Sequence, residues 1–306
     1  MINRLLIRIK VLQVLYNYYQ VKHMGIPGAI GLLRYALDQS YNLYLYLTGL
    51  PYDLKDAASF RLVKEEEKFG KDETIVKLLN HIIDNPITQI ISSDSEYIQA
   101  RNQAFTPSHS VEDFIKKLLN MLIEQREELL QIDWDNFDEV KKAWRAFYGE
   151  NILQNNLFSD ILEETDTFRN DDIAIVFTFV TKVFNGLSEK KPYSEQLRPP
   201  YSSEEDEDFG PTLLEHAIVH GEEYRELISN YFKNWDKERV SEIDYIILQL
   251  AVSEAIKFPT IDTTVILNEY LNLAHYYSSE ISHTFINGIL HELFTDLKKE
   301  GKILGN

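Results

Sequence analysis

Three groupings of polar side chains in this 306-residue chain have spacings that could do chemistry. Glu280 and His283 stand three apart, which sets a carboxylate and an imidazole on one side of a helix, as in carboxylate-bridged di-metal bundles. Such a centre needs two of these pairs, and the sequence holds one. His216 and His220 lie one helical turn apart, but two imidazoles are fewer ligands than a metal site ordinarily assembles, so surface, capping or contact roles are expected of these histidines and no metal. The third grouping is basic. Arg4 and Arg8 lie four apart with Lys10 and Gln13 on an adjoining sector, so guanidinium, ammonium and amide groups could line one track for phosphate oxygens and base edges. A solvated helix face is the competing role for such a run. A Gly-rich phosphate loop, a G-x-S-x-G elbow and an H-E-x-x-H pair are all missing, which weakens an enzyme or cofactor-binding reading without excluding it.

These side chains need helices to position them, and the pattern is helical throughout. Leu5, Ile9, Leu12, Leu15, Tyr16 and Tyr19 recur at three- and four-residue steps, predicting a helix over 4–21 that ends at Gly25-Ile26-Pro27-Gly28. Further helices are expected near 29–48, 57–69, 72–84, 110–131, 136–148, 150–164 and 172–185, then near 211–233, 240–257, 263–277 and 280–299. Residues 186–208, with Pro192, Pro199-Pro200 and the acidic run Glu204 to Asp208, read as an exposed connector because prolines break helices and adjacent acids repel. Ser241-x-x-Asp244 has the form of a capping box, and Ser278-Ser279-Glu280 can start the last helix in the same way.

Composition sets the outer limits. With 44% hydrophobic and 26% charged residues the chain can bury a substantial core, and no apolar run is long enough to span a membrane. The first twenty residues lack the order of a signal peptide and there is no cysteine, so a cytoplasmic location is expected. The net charge is −18, which repels polyanions at long range. Its layout is uneven: residues 1–24 carry +4 with no acid, 209–306 carry −7, and the stretch between them −15. Distant acids are screened beyond about 8 Å at physiological salt, so the basic start can still meet phosphate locally.

The closing third carries three ordered blocks: Arg239-x-x-x-Ile243-Asp244-x-x-Ile247-Leu248-x-Leu250-Ala251-x-x-Glu254, then Val265-x-x-Asn268-Glu269-Tyr270-x-x-Leu273-Ala274, then Phe285-Ile286-Asn287-Gly288-Ile289-Leu290. Together they resemble the carboxy-terminal signature of the NusB transcription antitermination family. Leu12-Gln13-Val14-Leu15-Tyr16 matches that family's first helix, and Arg8-Ile9-Lys10-Val11-Leu12-Gln13 looks like its long bacterial form, which carries a large helical insertion. Ser40-Tyr41-Asn42-Leu43-Tyr44 and the stretch from Gly221 through Asn234-Trp235-Asp236 also find counterparts in that form.

The resemblance implies an all-α, non-enzymatic protein: a NusB-like helical bundle made of residues 1–24 and 201–306, with 25–200 as an inserted acidic helical subdomain. It implies binding of boxA-type single-stranded RNA together with NusE, a small-subunit ribosomal protein, within the antitermination complex of RNA polymerase that supports ribosomal RNA transcription. Arg4, Arg8 and Lys10 take the place of the family's arginine-rich start, Gln13 and Tyr16 continue that face, and Ser282, His283 and Phe285 match the helix start that meets RNA. Asp244 falls where the family has an acidic residue near the NusE and RNA contact surface. Leu5 and Leu6 stand where many relatives carry arginines, which predicts fewer phosphate contacts, while Ile281 stands at an acidic position of the family and Asp262 at a common proline. Core packing competes with base stacking for Phe285 and Tyr16, and helix capping with partner contact for Asp244. A second hypothesis is an acidic helical scaffold docking a basic protein through the inserted region.

Overall fold

A computed structural model describes residues 1–153, 155–165, 168, 172–232 and 240–304. Arg239 and Asn234-Trp235-Asp236 of the matching blocks, and the side chain of Glu280, lie outside the described residues. The architecture is all-α, with no strand among the described residues. In chain order the helices are α1 (Arg4–Gln20), α2 (Ile26–Thr48), α3 (Leu50–Glu66), α4 (Glu73–Ile83), α5 (Pro86–Ser93), α6 (Ser95–Ala104), α7 (His109–Glu124) and α8 (Arg126–Leu129). They continue as α9 (Phe137–Tyr148), α10 (Asn156–Thr165), α11 (Ile173–Gly186), α12 (Glu204–Val219), α13 (Gly221–Ser229), α14 (Glu242–Lys257), α15 (Thr263–Tyr277) and α16 (Glu280–Lys299).

The chain divides into two compact units, one of Asp38–Pro200 with Met1, the other of Ile2–Leu37 with Tyr201–Asn306. Residues 25–37, grouped with the insertion on sequence, cluster with the terminal unit. Leu33 is fully buried there, and a methyl group on Gly210 of α12 would come within 3.3 Å of it and 2.7 Å of Ile7.

In the inserted unit the end of α2 is built around tyrosines. The last carbonyls of a helix have no partner within it. Here the buried Tyr97 and Tyr193 hydroxyls donate to the carbonyls of Leu45 and Thr48, each at 2.6 Å, and Tyr148 donates to that of Leu47. Gly49 follows, and α3 starts with Pro51 in its first turn, where a missing N–H costs nothing. Arg101 of α6, 2% exposed, pairs with Asp53 of α3.

Burial pushes the Asp53 carboxyl up to about 6, Arg101 only partly opposing it. Its folded value lies above the unfolded one of about 3.9, so the folded chain binds more protons between roughly pH 4 and 6 and loses stability as pH rises through that window. Carbon-13 NMR titration of the Asp53 carboxyl should give a midpoint near 6; a midpoint at or below about 4 would refute this account.

α12 starts seven residues before its expected beginning and takes in the acidic run. Ser203 caps it by accepting from the Asp206 N–H, and Glu204, Glu205, Asp206 and Glu207 fill its first turn, where the helix dipole offsets their repulsion. Pro211 lies inside the helix rather than at its start.

Candidate nucleic-acid interface

The site sought on sequence lies in the terminal unit, where α1 packs against α12 and α14, and α14, α15 and α16 pack on one another. Asn3 caps α1 by accepting from the Leu6 N–H. Every residue from Leu6 to Leu12 is buried, so over these two turns α1 is enclosed all round rather than amphipathic.

That enclosure corrects part of the expected site. Arg8 is only 3% exposed, and its guanidinium is engaged by carboxylates: Nε and Nη2 donate to the two oxygens of Glu254 at 2.9 and 2.6 Å, and Nη1 to Glu269 at 3.2 Å. The fully buried Tyr270 hydroxyl donates to the same Glu254 at 2.9 Å. Burial opposes the charge on Arg8, but the hydrogen bond and attraction of Glu254 outweigh it and raise its pKa. Lys10 is fully buried as well. Neither cation can meet a phosphate from solvent. Phe285 is 4% exposed with its ring 5.3 Å from that of Phe232, so it is core packing and not a stacking platform.

Asp244 is also buried, and its role is internal. Ser241 accepts from the Asp244 N–H as in a capping box, but the Asp244 carboxylate does not close that box. It instead accepts the hydroxyls of Ser278 at 2.5 Å and Ser282 at 3.0 Å, clamping the turn between α15 and α16. Ser279 caps α16 by accepting from the Ser282 N–H.

The remaining candidates reach the surface. Tyr16 is 42% exposed, and Gln13 donates to the Tyr277 hydroxyl at 3.3 Å across 264 residues of sequence. Ser282 and His283 are half-buried at the start of α16. Arg4 is partly exposed, pairs with Asp206 at 3.1 Å and lies 5.1 Å over the Phe209 ring. A continuous run of contacts therefore joins α1 to the last helix: Gln13 to Tyr277, Ser278 and Ser282 to Asp244. Sequence reasoning missed Tyr276, exposed beside Tyr277, because an aromatic among apolar residues on α15 reads as core. Ile281, seen on sequence only as a departure, is also exposed here.

Among the described residues no three histidine or acidic side chains are grouped to hold a metal. The His216 and His220 rings lie 4.6 Å apart, with His220 Nδ1 3.1 Å from Glu223. Burial first, then the neighbouring His220, lowers the His216 pKa and keeps it neutral at pH 7. No helix among the described residues is long and apolar enough to cross a membrane.

The NusB family model matches residues 173–294. The transcription antitermination protein NusB of Salinibacter ruber is 31% identical over 96 residues, 31% of this chain and 60% of that protein. That of Finegoldia magna is 32% identical over 35% of this chain and 77% of the relative, and that of Bacillus velezensis 33% identical over 34% and 81%. No solved structure matches.

Proposed function

The chain belongs to the NusB family, and on that premise we propose that it is a cytoplasmic transcription antitermination factor whose terminal unit binds boxA-type single-stranded RNA together with NusE, in the complex that carries RNA polymerase through ribosomal RNA genes. The observation that carries this reading is the joining of the first helix to the end of α15 through Gln13 and Tyr277, and of the adjoining Ser278 to the start of the last helix through Asp244 and Ser282. Tyr16 offers an exposed ring on which an unpaired base stacks, while Gln13, Ser282 and His283 read base edges. Arg4 supplies a phosphate contact at the rim. Arg8, Lys10, Phe285 and Asp244 act from beneath, Asp244 by fixing the serine turn beside which NusE docks.

The test is fluorescence anisotropy with labelled boxA RNA, with and without NusE. We expect a ternary complex, and Tyr16→Ala to weaken it roughly 5- to 150-fold, since stacking on an aromatic ring contributes about 1–3 kcal/mol per base. Wild-type affinity in the Tyr16→Ala protein would remove Tyr16 from the site, and absence of any RNA or NusE binding would sink the reading.

A further inference from the structure

The segment expected to be an exposed connector is, up to residue 198, held to the inserted unit by a set of hydrogen bonds. Tyr193 is fully buried with its ring edge-on to Tyr97 at 4.7 Å. The Ser194 N–H and hydroxyl donate to Asp94 at 2.7 and 2.8 Å, and the Arg198 N–H donates to the Tyr44 hydroxyl at 3.0 Å. The Gln196 amide closes the loop from within, accepting from the Ser188 N–H at 2.7 Å and donating to the Ser188 and Lys191 carbonyls at 3.0 and 2.9 Å.

What this fixed backbone presents is positive charge. A cavity of about 310 Å³ is lined by Lys182 from the end of α11, by Lys191 and Arg198 from the loop, and by Glu195 as its one acid. All three cations are exposed, and no carboxylate among the described residues lies within ion-pair distance of them. Elsewhere on the unit lysines and arginines do find acids, as in Arg61 with Glu65, Lys116 with Asp113 and Lys141 with Asp138. The sequence shows the same inversion: residues 182–198 hold four bases and two acids, whereas 38–181 hold 14 bases and 27 acids. Bringing like charges together costs energy unless an anion joins them, and a cavity of this size has room for a phosphate group.

We propose that Lys182, Lys191 and Arg198 form a second RNA contact, on the inserted unit, that grips backbone phosphates of single-stranded RNA. This rests on the RNA-binding reading above and adds a site on the part of the chain outside the terminal unit. Because the loop backbone is already held, the ordering cost on binding is confined to the three cationic side chains.

The test compares wild-type protein with Lys182→Ala/Lys191→Ala/Arg198→Ala and with Lys117→Ala/Lys142→Ala/Arg145→Ala, which removes the same charge from other exposed cations of the unit. Affinity for a labelled single-stranded RNA of about 30 nucleotides is measured between roughly 50 and 200 mM salt, with thermal melts establishing that each variant is folded. Each lost phosphate contact flattens the salt slope by about 0.7 on single strands, so the first variant should lose a slope of about 2 and vary about 20-fold less in affinity across that range. The second variant should keep the wild-type slope. Equal slopes in the two variants, or an unchanged slope in the first, overturn the proposal while the RNA reading stands; no RNA binding by the wild-type protein overturns both. Displacement of the RNA by poly-glutamate as readily as by unlabelled RNA, or by inorganic phosphate at matched ionic strength, would assign the cavity to another anion and overturn the proposal too.

Discussion

Replacing Arg8 by alanine should cost about 3–5 kcal/mol of stability, because it strands the Glu254 carboxylate in a fully buried position with no countercharge. The salt slope of RNA binding by the molecules that remain folded should be unchanged, which separates this residue from a phosphate contact. Urea denaturation gives the first quantity and anisotropy titration the second. The triple change Arg8→Met/Glu254→Leu/Tyr270→Phe should recover most of the loss, since apolar side chains of similar volume replace a buried ion pair with little net cost. A loss under about 1 kcal/mol for Arg8→Ala would mean that water reaches Glu254 and that the enclosure of α1 is overstated.

The second large effect is steric. A methyl group on Gly49 would sit 2.6 Å from Arg101 Nε and 2.8 Å from its Cδ, and against the Tyr97 hydroxyl as well. Neither neighbour is free to move: Asp53 holds the guanidinium, and the Leu45 carbonyl and Thr48 hydroxyl hold the tyrosine. Gly49→Ala should therefore destabilise by about 1–3 kcal/mol, the usual cost of overfilling a packed interior. Gly31 is the control. It lies in α2 with open space around the position of a Cβ, so Gly31→Ala should stabilise by about 0.5–1 kcal/mol through reduced backbone freedom in the unfolded chain. Urea midpoints moving in the same direction in both variants would refute the packing argument.

Much of the fold is legible in the sequence, because helix boundaries are written in local chemistry. The expected helices at 263–277 and 280–299 coincide with α15 and α16, whose caps Asp262 and Ser279 stand directly before them. α5 and α6 are missed because each is short, and the capping asparagine and aspartate before them, Asn85 and Asp94, read equally well as turn residues. The acidic start of α12 is misread because repulsion among neighbours is visible in a sequence, while the helix dipole that offsets it belongs to a helix not yet placed. The site is less legible for a related reason. Arg8 and Lys10 look solvent-facing because the polar positions of a single helix say nothing of a second and third helix packed over them. The partner that buries Arg8 is 246 residues away, beyond the reach of any periodicity argument. Arg4, Gln13, Tyr16, Ser282 and His283 are the candidates that reach the surface.

The pairing of Arg8 with Glu254 also sets a timetable for synthesis. The first helix leaves the ribosome long before its countercharge is translated, and at about 5–20 residues per second the interval is on the order of 10–50 s. Throughout that wait an apolar segment bearing an uncompensated guanidinium stays open to chaperones or to wrong neighbours. Completion of the terminal unit is thereby tied to translation of the last helices, so a chain cut short before Glu254 lacks the countercharge its first helix needs.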